Sequence, residues 1–175
     1  METNRRDKPG AVNACQSEAG FTIRRARSSD RKLLVLLWRK LIEYHAELDP
    51  RFRLQPGAER DYDHHISGMI RGFDTAVFVA ELANGEIIGY MVGEVRAGTR
   101  MWPGERIGFI SDAFVEERWR RCGAGNHLVE AMENWFQRER VRSIELYVAD
   151  ANPISQAFWR KMGFGDYMRL WRRDL

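Results

Sequence analysis

The chain of 175 residues is 44% hydrophobic and 30% charged, and it carries a formal net charge of +3 at pH 7. These values are typical of one soluble globular domain, and no apolar run approaches the roughly 20 residues that a membrane-spanning helix needs. The two cysteines, Cys15 and Cys122, are too few for a disulfide framework. We therefore expect a cytoplasmic protein without a membrane partner, whose mildly basic charge suits an anionic ligand and only weakly indicates nucleic acid.

Strands and helices are predicted in succession after a polar, aperiodic start. Residues 1–20 are expected to form a disordered tail, and residues 21–175 a single domain. In the domain, the spacing of apolar residues distinguishes helices from strands. The strands are predicted at 21–27, 76–82, 86–96, 106–115, 143–148 and 167–175, and the helices at 30–47, 58–72, around 128–136, and from 153 to the closing Gly163.

A hairpin and a crossover define the predicted sheet. Asn84-Gly85 lies between two apolar runs, and this dipeptide is typical of a two-residue hairpin turn. The strand at 106–115 is followed by a helix and then by another strand, which is the order of a β-α-β crossover. Antiparallel and parallel pairs should therefore occur together, and the sequence predicts an α/β (α+β) fold with a mixed sheet.

A turn with the pattern Arg120-x-x-Gly123-x-Gly125 joins the strand at 106–115 to the next helix. The first N–H groups of a helix have no partner within it and point along the positive end of the helix dipole, and glycine lets a bulky anion approach the backbone. The turn lacks the third glycine of the dinucleotide fingerprint and the Gly-Lys-Ser/Thr ending of the nucleotide P-loop. It therefore predicts an anion site of another kind.

This turn, together with Asn152 and the Phe-Trp-Arg-Lys-Met-Gly-Phe ending at 158–164, resembles the GNAT superfamily of acetyl-CoA-dependent N-acetyltransferases. The resemblance extends over about residues 21–175. It implies a mostly antiparallel central sheet, flanked by helices, whose central strands splay apart. It also implies acetyl-CoA as the cosubstrate and no metal ion.

The same resemblance implies where the coenzyme binds. The turn would hold its pyrophosphate, residues 112–115 would pair with its pantetheine arm, and Asn152 would contact it from the other side. Cys122 would then be a filler covered by the pyrophosphate rather than a nucleophile. The coenzyme-binding residues expected on this basis are Phe114, Val115, Arg120, Arg121, Cys122, Gly123, Ala124, Gly125, Asn126, Asn152, Ser155, Phe158 and Trp159.

Asp112 is the first candidate for a catalytic residue. Simple alternation along the strand predicts Ile110, Asp112 and Phe114 on one face. A carboxylate in the middle of a core strand needs a partner or a function. It is either held by a salt bridge or a water contact at the strand end, or placed as the general base or cation anchor for an acceptor amine. Glu94 on the neighbouring strand is the second candidate.

The resemblance also implies an acid that protonates the departing thiolate. Many members of the superfamily carry a tyrosine where this chain has Trp159, and an indole N–H cannot serve as an acid. Tyr147 is a substitute candidate, although the role of a half-buried strand aromatic is the more ordinary one for it. Water is another candidate, because a free thiol has a pKa of roughly 8.5 and its thiolate is a tolerable leaving group.

The predicted function is transfer of an acetyl group from acetyl-CoA to a primary amine by direct attack in a ternary complex. The acceptor is expected to be a small-molecule or peptide amine. One alternative is a non-catalytic acyl-CoA-binding sensor or regulatory module, which the missing tyrosine favours. A nucleic-acid binder lacks a supporting motif, and a homodimer formed through the strand at 167–175 is a further expectation.

Overall fold

A computed structural model describes residues 20–98 and 106–173, so the tail predicted at 1–20 lies, apart from Gly20, outside the described residues. Within those ranges no helix is long and apolar enough to cross a lipid bilayer. The chain forms β1 (Phe21–Arg25), α1 (Arg31–Leu48), α2 (Ala58–Arg71), β2 (Thr75–Leu82), β3 (Ile87–Ala97), β4 (Arg106–Val115), α3 (Ala124–Arg138), β5 (Ser143–Leu146) and α4 (Pro153–Lys161).

The strands form one sheet in the order β1-β2-β3-β4-β5. The pairs from β1 to β4 are antiparallel, and β4 pairs with β5 in parallel. The mixed, mostly antiparallel sheet confirms the prediction. The parallel pair follows from the crossover through α3, because two parallel neighbours need a long connection that returns the chain to the same end of the sheet.

Each face of the sheet is covered by its own apolar cluster. On one face α1 and α2 pack through buried side chains such as Leu34 and Ile66 against Tyr90 of β3. On the other face α3 packs through Leu128 and Met132, both no more than 1% exposed. The helical period of these residues produced the correct helix assignments, since one stripe of each helix is buried against the sheet.

An extra residue in β4 changes which side chains share a face. Val92 of β3 pairs with Asp112, but the next residue, Gly93, pairs with Ile110, so Ser111 is an unpaired bulge residue. Ile110 therefore packs in the α3 cluster, while Phe114 belongs to the α1–α2 cluster. The prediction that Ile110, Asp112 and Phe114 lie on one face was wrong for Ile110, because strict alternation fails across a bulge.

β4 and β5 separate soon after they meet. Their pairing covers four residues and ends where Ile110 faces Leu146. β4 continues to Val115, whereas the chain beyond Leu146 leaves the sheet, so β5 is two residues shorter than predicted at its C-terminal end. This separation leaves residues 112–115 without a partner in β5. The gap beside them, where the resemblance predicts the pantetheine arm, is called the coenzyme slot below.

The segment at 167–173 is not a strand, so the prediction of a last strand was wrong for the described residues. Four of its large apolar side chains are exposed, with Tyr167 at 78%, Met168 at 76%, Leu170 at 91% and Trp171 at 86%. Aromatic and apolar side chains such as these are typical of a strand, which explains the prediction. However, none of the five strands described here pairs with this segment. A strand needs a neighbour for its backbone groups.

Candidate active site

The turn before α3 presents backbone N–H groups with no side-chain acceptor. Gly123 is the N-cap residue, with φ at 90°, and among the described residues it has no side-chain cap. His127 is the first residue whose N–H bonds within the helix, to the Gly123 carbonyl at 3.1 Å. The N–H groups of Ala124, Gly125 and Asn126 precede that bond, so they form a site suited to an anion at the positive end of the helix.

Arg120 lies at the end of β4 rather than over the helix N-terminus. Its Nε donates to the Val115 carbonyl at 3.1 Å. Its guanidinium carbon lies 5.6 Å from the centre of the Tyr44 ring and 6.0 Å from that of Phe114. The side chain therefore joins the turn to β4 through a hydrogen bond and two aromatic contacts, and it brings a positive charge to the edge of the coenzyme slot.

Gly125 has a packing role that the sequence did not reveal. A Cβ atom added there would lie 3.1 Å from Cε2 of the Phe158 ring. Its lack of a side chain therefore lets α4 approach the first turn of α3. Trp159, the next residue of α4, is 6% exposed in the α3 cluster and packs edge-on against Phe158 and Phe164. The structure thus places Trp159 in the core, although we had predicted a coenzyme contact for it.

Asn152 is 4% exposed and begins α4. Its Oδ1 accepts the Ser155 N–H at 3.0 Å, which caps the helix. Its Nδ2 lies 3.3 Å from Nε2 of His45 on α1. Ser155 therefore contributes its backbone to this cap. Sequence analysis missed the contact with His45, because no local pattern links residues 107 positions apart.

Asp112 is partly buried on the α1–α2 face beside the coenzyme slot. Its Oδ2 accepts from the Ser111 hydroxyl at 3.3 Å and from the Tyr62 hydroxyl at 3.5 Å. Burial raises the pKa of this carboxyl group, while the two hydroxyl donors and the nearby His65 lower it in part. No lysine or arginine in the described ranges forms an ion pair with Asp112, so a structural salt bridge does not explain it.

Two tyrosines, Tyr62 and Tyr90, lie near Asp112 on the α1–α2 face of the sheet. Tyr62 is 7% exposed and stacks on Trp38, with ring centres 4.2 Å apart and planes 7° apart. Tyr90 is fully buried, and among the described residues its hydroxyl has no partner at hydrogen-bond geometry. Burial, with smaller contributions from Tyr62 and Asp112, raises the pKa of Tyr90 well above its ordinary value. Both phenols are therefore neutral at pH 7, and the Tyr62 hydroxyl is held in place as a donor.

Glu94 and Tyr147 lie nearer the other end of β4. Glu94 pairs in register with Phe109, and its carboxylate forms an ion pair of 2.6 Å with Arg96. The Arg96 guanidinium lies 3.4 Å from the centre of the Phe109 ring, and Tyr147 packs edge-on against the same ring at 5.2 Å. Glu94 therefore has a cationic partner, whereas Asp112 has none in the part of the chain that the structure describes. Tyr147 is 79% exposed.

This arrangement, an uncapped helix N-terminus beside two strands that separate, can be compared with known proteins. The model of the acetyltransferase (GNAT) family matches residues 37–164. The chain belongs to this GNAT family. Its members transfer acetyl groups, so the match accounts for a chain with an anion site next to an open strand edge.

Solved structures share the GNAT fold of this chain. A mutant of the BH1408 protein from Bacillus halodurans has 23% sequence identity and a TM-score of 0.79, covering 88% of this chain and 99% of its own. The aminoglycoside N-acetyltransferase AAC(6')-Iy, in complex with CoA, has 18% identity and a TM-score of 0.70, covering 90% and 95%. The aminoglycoside 6'-N-acetyltransferase AAC(6')-Ih from Acinetobacter baumannii has 18% identity and a TM-score of 0.68, covering 89% and 99%.

Proposed function

We propose that this GNAT chain transfers an acetyl group from acetyl-CoA to a primary amine, by direct attack within a ternary complex. The observation that carries the proposal is the placement of Asp112 at the point where β4 and β5 separate, as a carboxylate without an ion-pair partner among the described residues. The uncapped start of α3 lies at the end of the same strand. Donor and acceptor sites would thus be adjacent.

The donor side uses backbone groups. The N–H groups of 124–126 would bind the coenzyme pyrophosphate, with positive charge from Arg121 nearby in the turn. The Glu116 N–H bonds to Ile88 of β3, and successive N–H groups of a strand alternate in direction. The Val115 N–H therefore points away from β3, toward the slot, where it is available to the pantetheine arm or to the thioester oxygen.

The acceptor side uses Asp112. An alkyl amine with a pKa near 10.4 is almost entirely protonated at neutral pH, so the reaction needs a group that accepts a proton. Asp112 would hold the ammonium group and take its proton, directly or through one water molecule. The raised pKa makes this carboxylate a better base than an exposed one. Glu94 is the weaker candidate because Arg96 already neutralises it.

The bond changes then balance without a further co-reactant. The amine nitrogen forms a bond to the acetyl carbon, the carbon–sulfur bond breaks, and the electron pair leaves on the sulfur. The Val115 N–H would stabilise the negative charge on the carbonyl oxygen as the amine attacks. The thiolate would take a proton from water or from Tyr147, because the indole N–H of Trp159 cannot serve as an acid.

The buried position of Trp159 also favours a second candidate function. Without a tyrosine at this point of α4, the chain would bind acyl-CoA without transferring the acyl group. Release of free CoA from acetyl-CoA over a panel of amines, including aminoglycosides, polyamines and short peptides, separates the two functions. An enzyme releases CoA with at least one class of amine, whereas a sensor binds acetyl-CoA and releases none.

Replacing Tyr62 with phenylalanine is expected to move the acidic limb of the pH profile of kcat/KM to higher pH. The Tyr62 hydroxyl donates to the ionised form of Asp112, so its loss raises the pKa of a base that must be ionised. A titration of the Asp112 carboxyl carbon by NMR measures the same pKa without turnover. An unchanged carboxyl pKa would show that Tyr62 does not act on Asp112.

We also propose a homodimer that covers the exposed segment at 167–173. Four large apolar side chains that are at least 76% exposed form a surface that a partner copy would remove from water. Light scattering is expected to give twice the monomer mass for the full chain and the monomer mass after truncation behind residue 165. A monomeric full chain at high protein concentration would contradict this proposal.

A further inference from the structure

A hydrogen bond joins α1 to the start of α4. Nε2 of His45, in the last turn of α1, lies 3.3 Å from Nδ2 of Asn152. α1 packs on the sheet beside β4, whereas Asn152 follows the chain that leaves the sheet after β5. The contact therefore joins the two parts of the molecule that the separation of β4 and β5 would otherwise leave apart.

The cap of α4 determines how the Asn152 amide is oriented. Oδ1 accepts the Ser155 N–H, so it is Nδ2 that faces His45. An amide nitrogen only donates, and therefore Nε2 of His45 must accept. That requires a neutral imidazole with its proton on Nδ1, because both nitrogens of a protonated imidazole are donors.

The surroundings of His45 favour the neutral form. Its half-buried ring lies 5.4 Å from that of Phe52 and 6.2 Å from that of Tyr44. Glu47 is the nearest charged residue that follows along the chain, and beyond it Asp49 and Arg51 form an ion pair with each other. Burial lowers the pKa of His45, and no charged neighbour opposes that effect in the described part of the chain.

We propose that His45 is a positioning residue for the coenzyme: it holds the Asn152 amide so that the second N–H of that amide remains directed to the coenzyme slot. This inference rests on the proposed function, since it needs a coenzyme in the slot. The hydrogen bond exists only while His45 is neutral. Protonation puts two donors face to face, releases the amide and lowers the affinity for CoA.

The test compares CoA affinity among variants of His45 by calorimetry. His45→Leu removes the acceptor and keeps an apolar side chain of moderate size, and the lost hydrogen bond is expected to raise the Kd about two- to tenfold at neutral pH. His45→Gln provides a carbonyl acceptor that does not titrate. It is expected to keep the wild-type affinity at neutral pH and to bind CoA more tightly than the wild type at about pH 5.5.

Two controls are needed, one for the titration of CoA itself and one for a general effect of the substitution on folding. CoA itself has a phosphate that titrates near pH 6, and the His45→Gln variant measures that background with the same ligand. On an Asn152→Ala background, His45→Leu is expected to cause no further loss of affinity. Equal losses on both backgrounds, or parallel pH profiles for the wild type and His45→Gln, would overturn the inference.

An NMR measurement without ligand tests the hydrogen bond between His45 and Asn152 directly. Long-range proton–nitrogen NMR is expected to show His45 with its proton on Nδ1, and Asn152→Ala should relax that preference. A proton on Nε2 would rule out the inferred bond. If the wild-type chain binds no CoA at millimolar concentration, the proposed function fails together with this role. If CoA binds and His45→Leu leaves the Kd unchanged, only the His45 inference fails.

Discussion

Replacing Asp112 with asparagine is expected to lower kcat/KM for the amine acceptor by about 10²- to 10⁴-fold, which is the range for removal of a general base. Asparagine keeps the size and polarity of the side chain but cannot take the amine proton. The measurement is the rate of CoA release at saturating acetyl-CoA over a range of pH. The remaining activity should rise with pH as more of the amine becomes neutral in solution.

Glu94→Gln is the matched control for this substitution. It makes the same chemical change on the neighbouring strand, at a carboxylate that already pairs with Arg96. We expect a much smaller loss of activity from it. Wild-type turnover by Asp112→Asn across the pH range would remove Asp112 from the mechanism, and a large loss in Glu94→Gln alone would transfer the role to Glu94.

The stability of Asp112→Asn separates a loss of chemistry from a loss of fold. The folded pKa of Asp112 is raised above its unfolded value, so ionisation disfavours the folded state. This destabilisation is absent below the unfolded pKa and grows as the pH rises to the folded pKa. Because asparagine does not ionise, the variant should unfold in urea at a denaturant concentration no lower than the wild type at neutral pH.

Replacing Gly123 with alanine is expected to raise the Kd for CoA about tenfold or more, which corresponds to about 1.4 kcal/mol of binding free energy. Gly123 has φ at 90°, a conformation that alanine avoids at a cost of about 1–3 kcal/mol. The turn would relax to another conformation, and the N–H groups at the start of α3 would no longer converge on one anion. Calorimetry with CoA measures the effect directly.

Gly57→Ala is the matched control for the change at Gly123. Gly57 is the N-cap residue of α2 and has the same φ of 90°, with no atom closer than 3.8 Å to an added Cβ. The two variants should therefore lose similar amounts of stability, whereas only the change at Gly123 should weaken CoA binding. Equal CoA affinities for both would mean that the start of α3 does not hold the coenzyme.

The sequence predicted those parts of the fold that local patterns determine. The bounds of β4 were predicted at 106–115 and are Arg106–Val115 in the structure. Asn84-Gly85 does lie between two antiparallel strands, but the prediction of a two-residue turn was wrong. The Gly85 N–H bonds to the Leu82 carbonyl and the Leu82 N–H bonds to the Glu86 carbonyl, so the loop contains residues 83–85. The correct predictions succeed because they rest on two local features: the burial of one stripe of a helix or one face of a strand, and the positive φ of Gly85. Both features depend on residues close together in the chain.

The parts that the sequence did not predict depend on distant residues. The bulge at Ser111 follows from how β3 and β4 pair, and nothing in the strand itself indicates an extra residue. The contact of His45 with Asn152, and the approach of Phe158 to Gly125, need α1, α3 and α4 to be packed first. The segment at 167–173 was predicted as a strand from its own side chains, and that pattern contains no information on a partner.

Because of the bulge at Ser111, the two ends of β4 can be changed independently in protein engineering. Gly108 and Ile110 are set by the fit against α3, so changes there alter folding. Past the bulge, Asp112 and Phe114 face α1 and α2, whereas Val115 packs on the α3 side. Libraries restricted to 114 and to the facing side chains of the two helices would vary the proposed acceptor side, while Asp112 and the contacts with α3 stay unchanged.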